Sequence, residues 1–518
     1  MRHSTFIKST VILTIATLLS KILGSIFRIP LQNIAGDEVL GIFSLVYPVY
    51  MVALILSVAG IPISISKLIS ESRAKNDFLT VKQIYITASI LALLFGLISF
   101  TFIYSLSHPI AIILGSTETR LALIIVAITL LIAPYMAVYR GFFQGFGDMR
   151  PTAISQVIEQ FVRVALILFI AYYLVKRDFS SDVIAGGIMV GSIAGVVASL
   201  IYLRIKFTRF ATSLPTVKPY CMKQFINWSK AILKISIPIA FGAITLALMN
   251  FVDSITIPSA LKYGDVHSQK VTYLYGIYGR GISLVQIATV FATSIVLPLI
   301  PTITSKITSK DIQGARQLIE KSFYMTHLIS WPAAVGIFSL ALPLNLALFT
   351  DLQGTWMIAM IGFSSVFTSF SILSTGVLQG INQANRAAIL VLLVVVIKSL
   401  LNIFLVAWFG LIGAAISTLF IYIILFVFNM RLINRYINIT IFTKNTWKII
   451  FSSLVMGLII GLPPFMMALT NWTRTQAFIY VFSTIIFGSF IYFLQLFIFN
   501  AFDKNKVKNF PLFNKFFK

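Results

Sequence analysis

Cysteine occurs once in 518 residues, histidine four times, and Asp and Glu together only 15 times. The lone Cys221 forms no intramolecular disulfide and lies in a basic loop, so cysteine says nothing of redox chemistry. Four scattered histidines (His3, His108, His267, His327) and one cysteine provide no zinc-ligand spacing, so no metal site is expected. His108 and His267 fall in loops, where a solvated imidazole is the ordinary state. No glycine-rich phosphate loop ending in Gly-Lys-Ser/Thr is present, which argues against ATP hydrolysis, and no cofactor is expected. Almost every carboxylate lies in a loop, so paired acids for catalysis are missing and the chain does not read as an enzyme. Charge of both signs is scarce, at 11% of residues. A soluble domain carries about 25%, so a soluble enzyme, a disordered chain and a fibrous one are all excluded.

What fills the chain instead is apolar: 58% of residues are hydrophobic. A helix crossing the hydrocarbon core needs ~20 mostly apolar residues, and the chain has enough for roughly 14 crossings. Runs of that length fall near 6–29, 40–65, 82–105, 121–143, 152–175, 183–203, 231–255 and 272–299. Six more follow near 323–349, 355–379, 387–408, 411–430, 447–469 and 476–500. The first is too long for a signal-peptide core and contains Lys21, so it reads as a retained span. No gap between runs is large enough for a soluble domain. The fold class is therefore an all-α polytopic membrane protein with 14 transmembrane helices.

Forty Lys and Arg would suggest nucleic-acid binding in a soluble protein. In a membrane protein they have a different cause, because Lys and Arg accumulate in cytoplasmic loops. With the N-terminus placed inside, 28 basic residues fall in inside segments and 6 in outside loops. That asymmetry places both termini in the cytoplasm, and no nucleic-acid partner is expected.

The chain also reads as duplicated. Gly141-Phe142-Phe143-Gln144-Gly145 recurs as Gly376-Val377-Leu378-Gln379-Gly380, and at the same offset Ala153-Ile154 matches Ala388-Ile389 and Arg163 matches Lys398. Pro62 and Ser66-Lys67 match Pro301 and Ser305-Lys306. The expected organisation is an N-lobe over 1–205 (spans 1–6), a basic cytoplasmic linker over 206–230 and a C-lobe over 231–432 (spans 7–12). Spans 13–14 occupy 433–503, and a basic tail covers 504–518. An even number of spans per repeat gives two pseudo-symmetric six-helix lobes of the same orientation, followed by the two appended helices.

Six cations and two acids remain inside spans: Lys21, Arg28, Arg140, Arg163, Arg280, Lys398, Glu159 and Asp253. A cation at mid-bilayer costs from ~2.5 to ~10 kcal/mol, so each needs a partner, a wet cavity or a snorkelling route. Arg140 is within snorkelling reach of the surface. Glu159 and Arg163, at i and i+4, have the spacing of an intrahelical pair, either orienting one lobe or touching substrate. Lys398 has Asn402 one turn on, and Asp253 has Asn250 one turn back. Lys398 and Asp253 read either as a neutralising pair or, for Asp253 with the asparagines, as a site for a coupling cation or proton. Gln144 and Gln379 are further polar candidates. No acid is available in the sequence to pair Lys21, Arg28 and Arg280 together, which points to a hydrated cavity that receives an anion. Snorkelling also suits Arg28 and Arg280, near helix ends, but not the deeper Lys21.

The segment from Arg140-Gly141-Phe142-Phe143-Gln144-Gly145 through Met149, Pro151, Ala153, Ser155-Gln156, Glu159-Gln160 and Arg163 resembles the stage V sporulation protein B group. These are polysaccharide-biosynthesis membrane proteins of the multidrug/oligosaccharidyl-lipid/polysaccharide exporter superfamily. Ser20-Lys21-Ile22-Leu23-Gly24 with Arg28 is similar to the span-one pattern of MurJ-type lipid II flippases. The resemblance covers essentially the whole chain. It implies a V-shaped pair of lobes with alternating access in a bacterial cytoplasmic membrane. The implied substrate is an undecaprenyl diphosphate carrying a sugar or muropeptide headgroup, with membrane lipids as the other partners of a monomer. It places Lys21, Arg28 and Arg280 in the substrate cavity and spans 13–14 along the lipid tail. Two departures stand out: Tyr47–Ile65 carries no arginine where MurJ-type proteins have them, and Lys398 occupies a region where some hold cation ligands.

Three functions compete at this point: a flippase for a lipid-linked precursor, a drug/cation antiporter of the related multidrug-extrusion type, and a membrane scaffold or scramblase. Antiporters of organic cations need embedded carboxylates for coupling, and this chain has two at most against several embedded cations. That asymmetry favours an anionic substrate.

Overall fold

A computed structural model of the chain describes residues 2–58, 60–211, 220–263, 268–466 and 472–501. The basic tail at 504–518, the middle of the linker and His267 lie outside the described residues. Among the described residues the chain is helical, with no β-strand. Hydrocarbon offers backbone groups no water, so a spanning segment must satisfy its N–H and C=O groups internally, and apolar runs of this length therefore become helices.

In chain order the helices are α1 (Arg2–Ile26), α2 (Arg28–Val58), α3 (Ile61–Ala74), α4 (Phe78–Ser105), α5 (Ser107–Ile113), α6 (Thr119–Gly145), α7 (Arg150–Val175) and α8 (Ser181–Ala211). They continue as α9 (Met222–Tyr263), α10 (Ser268–Thr308), α11 (Ile312–Ser339), α12 (Ala341–Phe349), α13 (Thr355–Gly380), α14 (Ala384–Asn434), α15 (Lys444–Met466) and α16 (Arg474–Ile498). Ten described segments are long and apolar enough to cross a membrane, or eleven if α11 and α12, bent by 78° at their junction, form one broken span. The count is lower than the fourteen runs of the sequence partly because some runs join end to end. One apolar segment covers Ile12–Ala74, 63 residues, and contains left-handed glycines at Gly36 and Gly60. The 51-residue α14 breaks at Gly410, where φ is 57°. At 1.5 Å per residue α14 has about two and a half times the length needed for a hydrocarbon core of about 30 Å.

The chain divides into two compact units, Met1–Gly276 and Ile277–Lys518. The division falls inside α10, so α9 belongs to the first unit. In that unit Ile65, Ile69, Val81, Ile84, Tyr139 and Phe142 form a buried core joining α3, α4 and α6. In the second, Ile303, Ile319, Phe323, Phe370, Val377 and Leu378 join α10, α11 and α13, and Tyr492 and Leu496 of α16 add to them.

Each unit contains the same local devices, displaced by 234 or 235 residues. Asp77 caps α4 by accepting from the Thr80 N–H at 2.9 Å, and Asp311 caps α11 from the Gly314 N–H at 2.8 Å. The preceding residues, Asn76 and Lys310, both have positive φ. At the end of α6, Gly145 sits where a Cβ would approach Ile69 Cβ to 2.8 Å; at the end of α13, a Cβ on Gly380 would approach Ile303 Cβ to 2.9 Å. Only glycine permits either approach, which is why the Gly-x-x-x-Gly segment is written twice. The same carbonyls are then bonded by matching hydroxyls, Ser70 Oγ to Gly145 O at 3.0 Å and Thr304 Oγ1 to Gly380 O at 2.9 Å.

Candidate functional site

In the first unit α1 packs on α7 along one stripe. Thr17 Oγ1 donates to Gln156 Oε1 at 3.0 Å, and Gly24 lies against Gln160, whose Nε2 stands 2.8 Å from where a Cβ would be. Lys21 is spaced between these contacts at i+4 from Thr17 and is exposed on the helix. Among the described residues it has no carboxylate partner. Seven residues on, Arg28 opens α2 and is 4% exposed. Its guanidinium lies 5.5 Å from the Phe43 ring centroid and 5.6 Å from that of Tyr47, and its Nε makes no hydrogen bond. Cation–π contacts are worth about 0.5–2 kcal/mol and leave the guanidinium edge able to take an anion. Near it Gln32 Nε2 donates to Asp37 Oδ2 at 3.2 Å across the Gly36 break. The sequence places Asp37 in a loop; it is buried.

Arg140 does not snorkel. Its Nη2 pairs with Glu159 Oε2 at 2.7 Å and reaches Ser199 Oγ at 3.1 Å, while its Nε donates to Ser155 Oγ at 3.0 Å. Glu159 Oε1 accepts from Arg163 Nη2 at 2.8 Å. One carboxylate thus serves two guanidiniums inside the packing of α6, α7 and α8. Once taken out of water, a charge is cheapest where an opposite charge and hydroxyls satisfy it, and that outcompetes the route to the surface. Sequence reading finds the i, i+4 half of this triad and misses the half that crosses between helices.

In the second unit the expectation that Arg280 lacks an acid is corrected. Arg280 of α10 is fully buried, and Asp351 grips it in a two-pronged pair, Nη1 to Oδ1 at 2.7 Å and Nη2 to Oδ2 at 2.8 Å. Nη1 also reaches Asn345 Oδ1 at 3.2 Å, and the guanidinium lies 5.3 Å from the centre of the Phe349 ring. Asn345 in turn donates to Gln353 O at 2.8 Å and Thr355 Oγ1 at 3.0 Å, and Asp351 accepts from the Gln353 N–H at 2.8 Å. Burial alone would raise the Asp351 pKa, but the Arg280 and Gln353 hydrogen bonds hold it below its ordinary value. Sequence spacing does not reveal this partner, because Asp351 lies in a loop 71 residues away.

The remaining candidates are placed as follows. Asp253 is buried in α9, whereas Asn250 is exposed. Lys398 and Asn402 are buried one turn apart in α14, with the Lys398 ammonium 5.9 Å from the Tyr422 ring centre. Asp253 belongs to the first unit and Lys398 to the second. Gln144 and Gln379 are half-buried at the ends of α6 and α13, where their carbonyls accept the turn N–H groups of Gly147 and Asn382. His327, given no role from sequence, is buried and accepts at Nδ1 from Trp331 Nε1 at 3.0 Å. Among the described residues no group of three His, Cys, Asp or Glu side chains is arranged to hold a metal ion.

The second unit also contains an apolar groove of about 450 Å³ between α10, α11, α15 and α16, with Ile287, Ile337, Met456, Ile460 and Tyr492 in its walls.

These features define a multi-pass, all-helical membrane protein with charged side chains buried inside its helix packing. The chain belongs to the polysaccharide biosynthesis protein family, whose model matches residues 6–307. Three relatives from Bacillus subtilis (strain 168) span most of it. It is 32% identical over 410 residues to the uncharacterized membrane protein YabM, covering 79% of this chain and 76% of that one. Identity to the lipid II flippase MurJ is 28% over 480 residues, 88% of each chain. Identity to stage V sporulation protein B is 26% over 427 residues, 80% of this chain and 81% of that one. Among solved structures, an inward closed conformation of the lipid II flippase MurJ matches with a TM-score of 0.67 at 17% identity, covering 94% of this chain and 98% of that one. An inward-facing multidrug resistance MATE family transporter of the MOP superfamily matches with a TM-score of 0.59 at 16% identity, covering 80% and 95%. At these identities the two structures share the fold.

Proposed function

We propose that this protein is a flippase that carries an undecaprenyl-diphosphate-linked cell-wall precursor, lipid II or a polysaccharide repeat unit, across a bacterial cytoplasmic membrane by alternating access. The observation that carries the reading is the pair Lys21 and Arg28: two cations seven residues apart at the start of the first unit, one on α1 and one opening α2, with no carboxylate partner among the described residues. A diphosphate is costly to move through hydrocarbon, and cationic donors replace part of its hydration with charge-assisted hydrogen bonds. Outward movement of the anion gains ~2.3 kcal/mol per charge per 100 mV of membrane potential, so transport needs no ATP.

In this reading the chain has fourteen spans in two six-helix repeats plus α15 and α16, with both termini cytoplasmic. The apolar groove beside α15 and α16 holds the polyprenyl tail. Arg280 serves the site indirectly, by holding the loop between α12 and α13, since its charge is matched by Asp351. The Glu159 triad stiffens the first repeat. Relationship to the MurJ and stage V sporulation proteins supports this function.

The alternative is a multidrug or cation antiporter of the MATE type, favoured by the shared fold and by the buried Asp253. The two readings separate in one experiment. The intact protein, expressed in cells depleted of their lipid II flippase, restores growth if lipid II is its substrate. Should it fail there and also fail to bind any polyprenyl diphosphate, while conferring resistance to organic cations, the antiporter reading stands instead.

A further inference from the structure

The groove of the second unit has a counterpart in the first, related by the internal repeat. A cavity of about 420 Å³ lies between α2, α4, α5 and α9, within the range of ~300–1,000 Å³ typical of ligand pockets. Val52, Ala53 and Phe102 line it where Ile287, Ala288 and Ile337 line the groove of the second unit, each 235 residues on. Ile110 corresponds likewise to Leu344, at 234. The two crevices differ in their lateral wall. In the second unit that wall is supplied by α15 and α16, which stand outside the repeat. In the first, Phe251 and Ile255 of α9 close one side, and Ile98 and Phe102 remain 62% and 59% exposed. In a membrane-spanning segment such a side faces acyl chains.

The crevice also has a cation at one end. Leu114 lines it, and beside the next residue, Gly115, lies the Lys262 side chain, whose Cε is 3.7 Å from where a Gly115 Cβ would be. Lys262 is seven residues beyond Ile255 on α9, about 10 Å further along the helix axis, and is exposed. His108, also exposed, is on α5 with Ile110. The acid of this loop, Glu118, is directed toward Ser116, whose Oγ is 3.4 Å from Glu118 Oε2. An apolar slot ending at an exposed ammonium has the polarity of a phospholipid, chain first and phosphate last.

We propose that this crevice binds one phospholipid of net negative headgroup, with an acyl chain lying between α2, α4 and α9 and the phosphate on Lys262. The site is separate from Lys21 and Arg28, and it does not depend on which substrate the protein moves. It gives the first unit a lipid where the second has α15 and α16.

The test is native mass spectrometry of the full-length protein titrated with phosphatidylglycerol, with phosphatidylcholine of the same chains, and with undecaprenyl diphosphate. Wild type should retain one phosphatidylglycerol more firmly than phosphatidylcholine. Lys262→Gln, at an exposed position, should weaken phosphatidylglycerol about fivefold, the equivalent of about 1 kcal/mol for one lysine near an anionic surface. Ala53→Phe, which fills the slot, should remove retention of both phospholipids and leave undecaprenyl diphosphate unchanged. A thermal-shift measurement guards against misfolding: phosphatidylglycerol should raise the wild-type melting temperature more than that of Lys262→Gln. Equal phosphatidylglycerol retention by wild type and both variants would overturn the proposal. So would loss of undecaprenyl diphosphate in step with phosphatidylglycerol, which would make the crevice part of the substrate path.

Discussion

Arg280 and Asp351 meet in a two-pronged ion pair in which one partner is fully buried and the other is about one-third exposed, with bonds of 2.7 and 2.8 Å. The pair ties the first third of a long helix, α10, to the loop between α12 and α13. Its two halves are therefore unequal. Arg280→Ala leaves a carboxylate that water can reach. Asp351→Ala leaves a guanidinium that is fully buried and has lost the carboxylate that grips it. Breaking a fully buried pair costs about 3–5 kcal/mol. The exposure of Asp351 lowers this, so Asp351→Ala should cost on the order of 2 kcal/mol and more than Arg280→Ala. Thermal unfolding in detergent checks the order; the reverse order would mean that the pair does not hold the loop.

The same pair sets a pH dependence. The folded-state pKa of Asp351 lies below its ordinary value, because the hydrogen bonds from Arg280 and Gln353 outweigh the effect of burial. A depressed carboxylate contributes stability that is fully present above its unfolded pKa, about 3.9, and is lost as pH falls through the folded value. Hydrogen exchange of the backbone at residues 350–354 should therefore stay slow relative to Asp351→Asn from pH 8 to pH 5, and the difference should close only below about pH 4. Loosening between pH 7 and pH 5 would contradict this.

Glu159 carries two guanidiniums, so its loss is worse than the loss of either. Glu159→Gln leaves Arg140 and Arg163 buried side by side without a counter-charge, and should cost about 3–5 kcal/mol. Arg163→Met, which keeps the Arg140–Glu159 pair, should cost less. A double-mutant cycle on Arg140 and Glu159 measures the cross-helix half directly. A coupling near zero would show that the Arg140 contact does not stabilise the fold.

Much of the architecture is legible in the sequence because hydrocarbon imposes a length of ~20 residues and an internal backbone pairing on every crossing. The recurring glycine spacing is legible for a related reason: Gly141 and Gly145, like Gly376 and Gly380, sit where a Cβ would crowd a neighbouring helix. Charge pairing was much less legible. Glu159 with Arg163 is visible as i and i+4, but Arg140 and Asp351 find their partners through tertiary packing. A helix-end arginine and a loop aspartate look solvated until the neighbouring helices are in place. Asp37 likewise reads as a loop residue, yet it is buried beside the break at Gly36.

In the proposed flippase Lys21 and Arg28 hold the diphosphate of the lipid-linked substrate. The most direct measurement is the affinity of the purified full-length protein for undecaprenyl diphosphate, wild type against Lys21→Gln, Arg28→Lys and Arg28→Gln, at matched melting temperature. Hydrogen bonds to charged groups contribute about 1.5–3 kcal/mol, so Lys21→Gln and Arg28→Gln should each weaken binding at least tenfold, and Arg28→Lys should retain part of it. Unchanged affinity in both glutamine variants would contradict the claim.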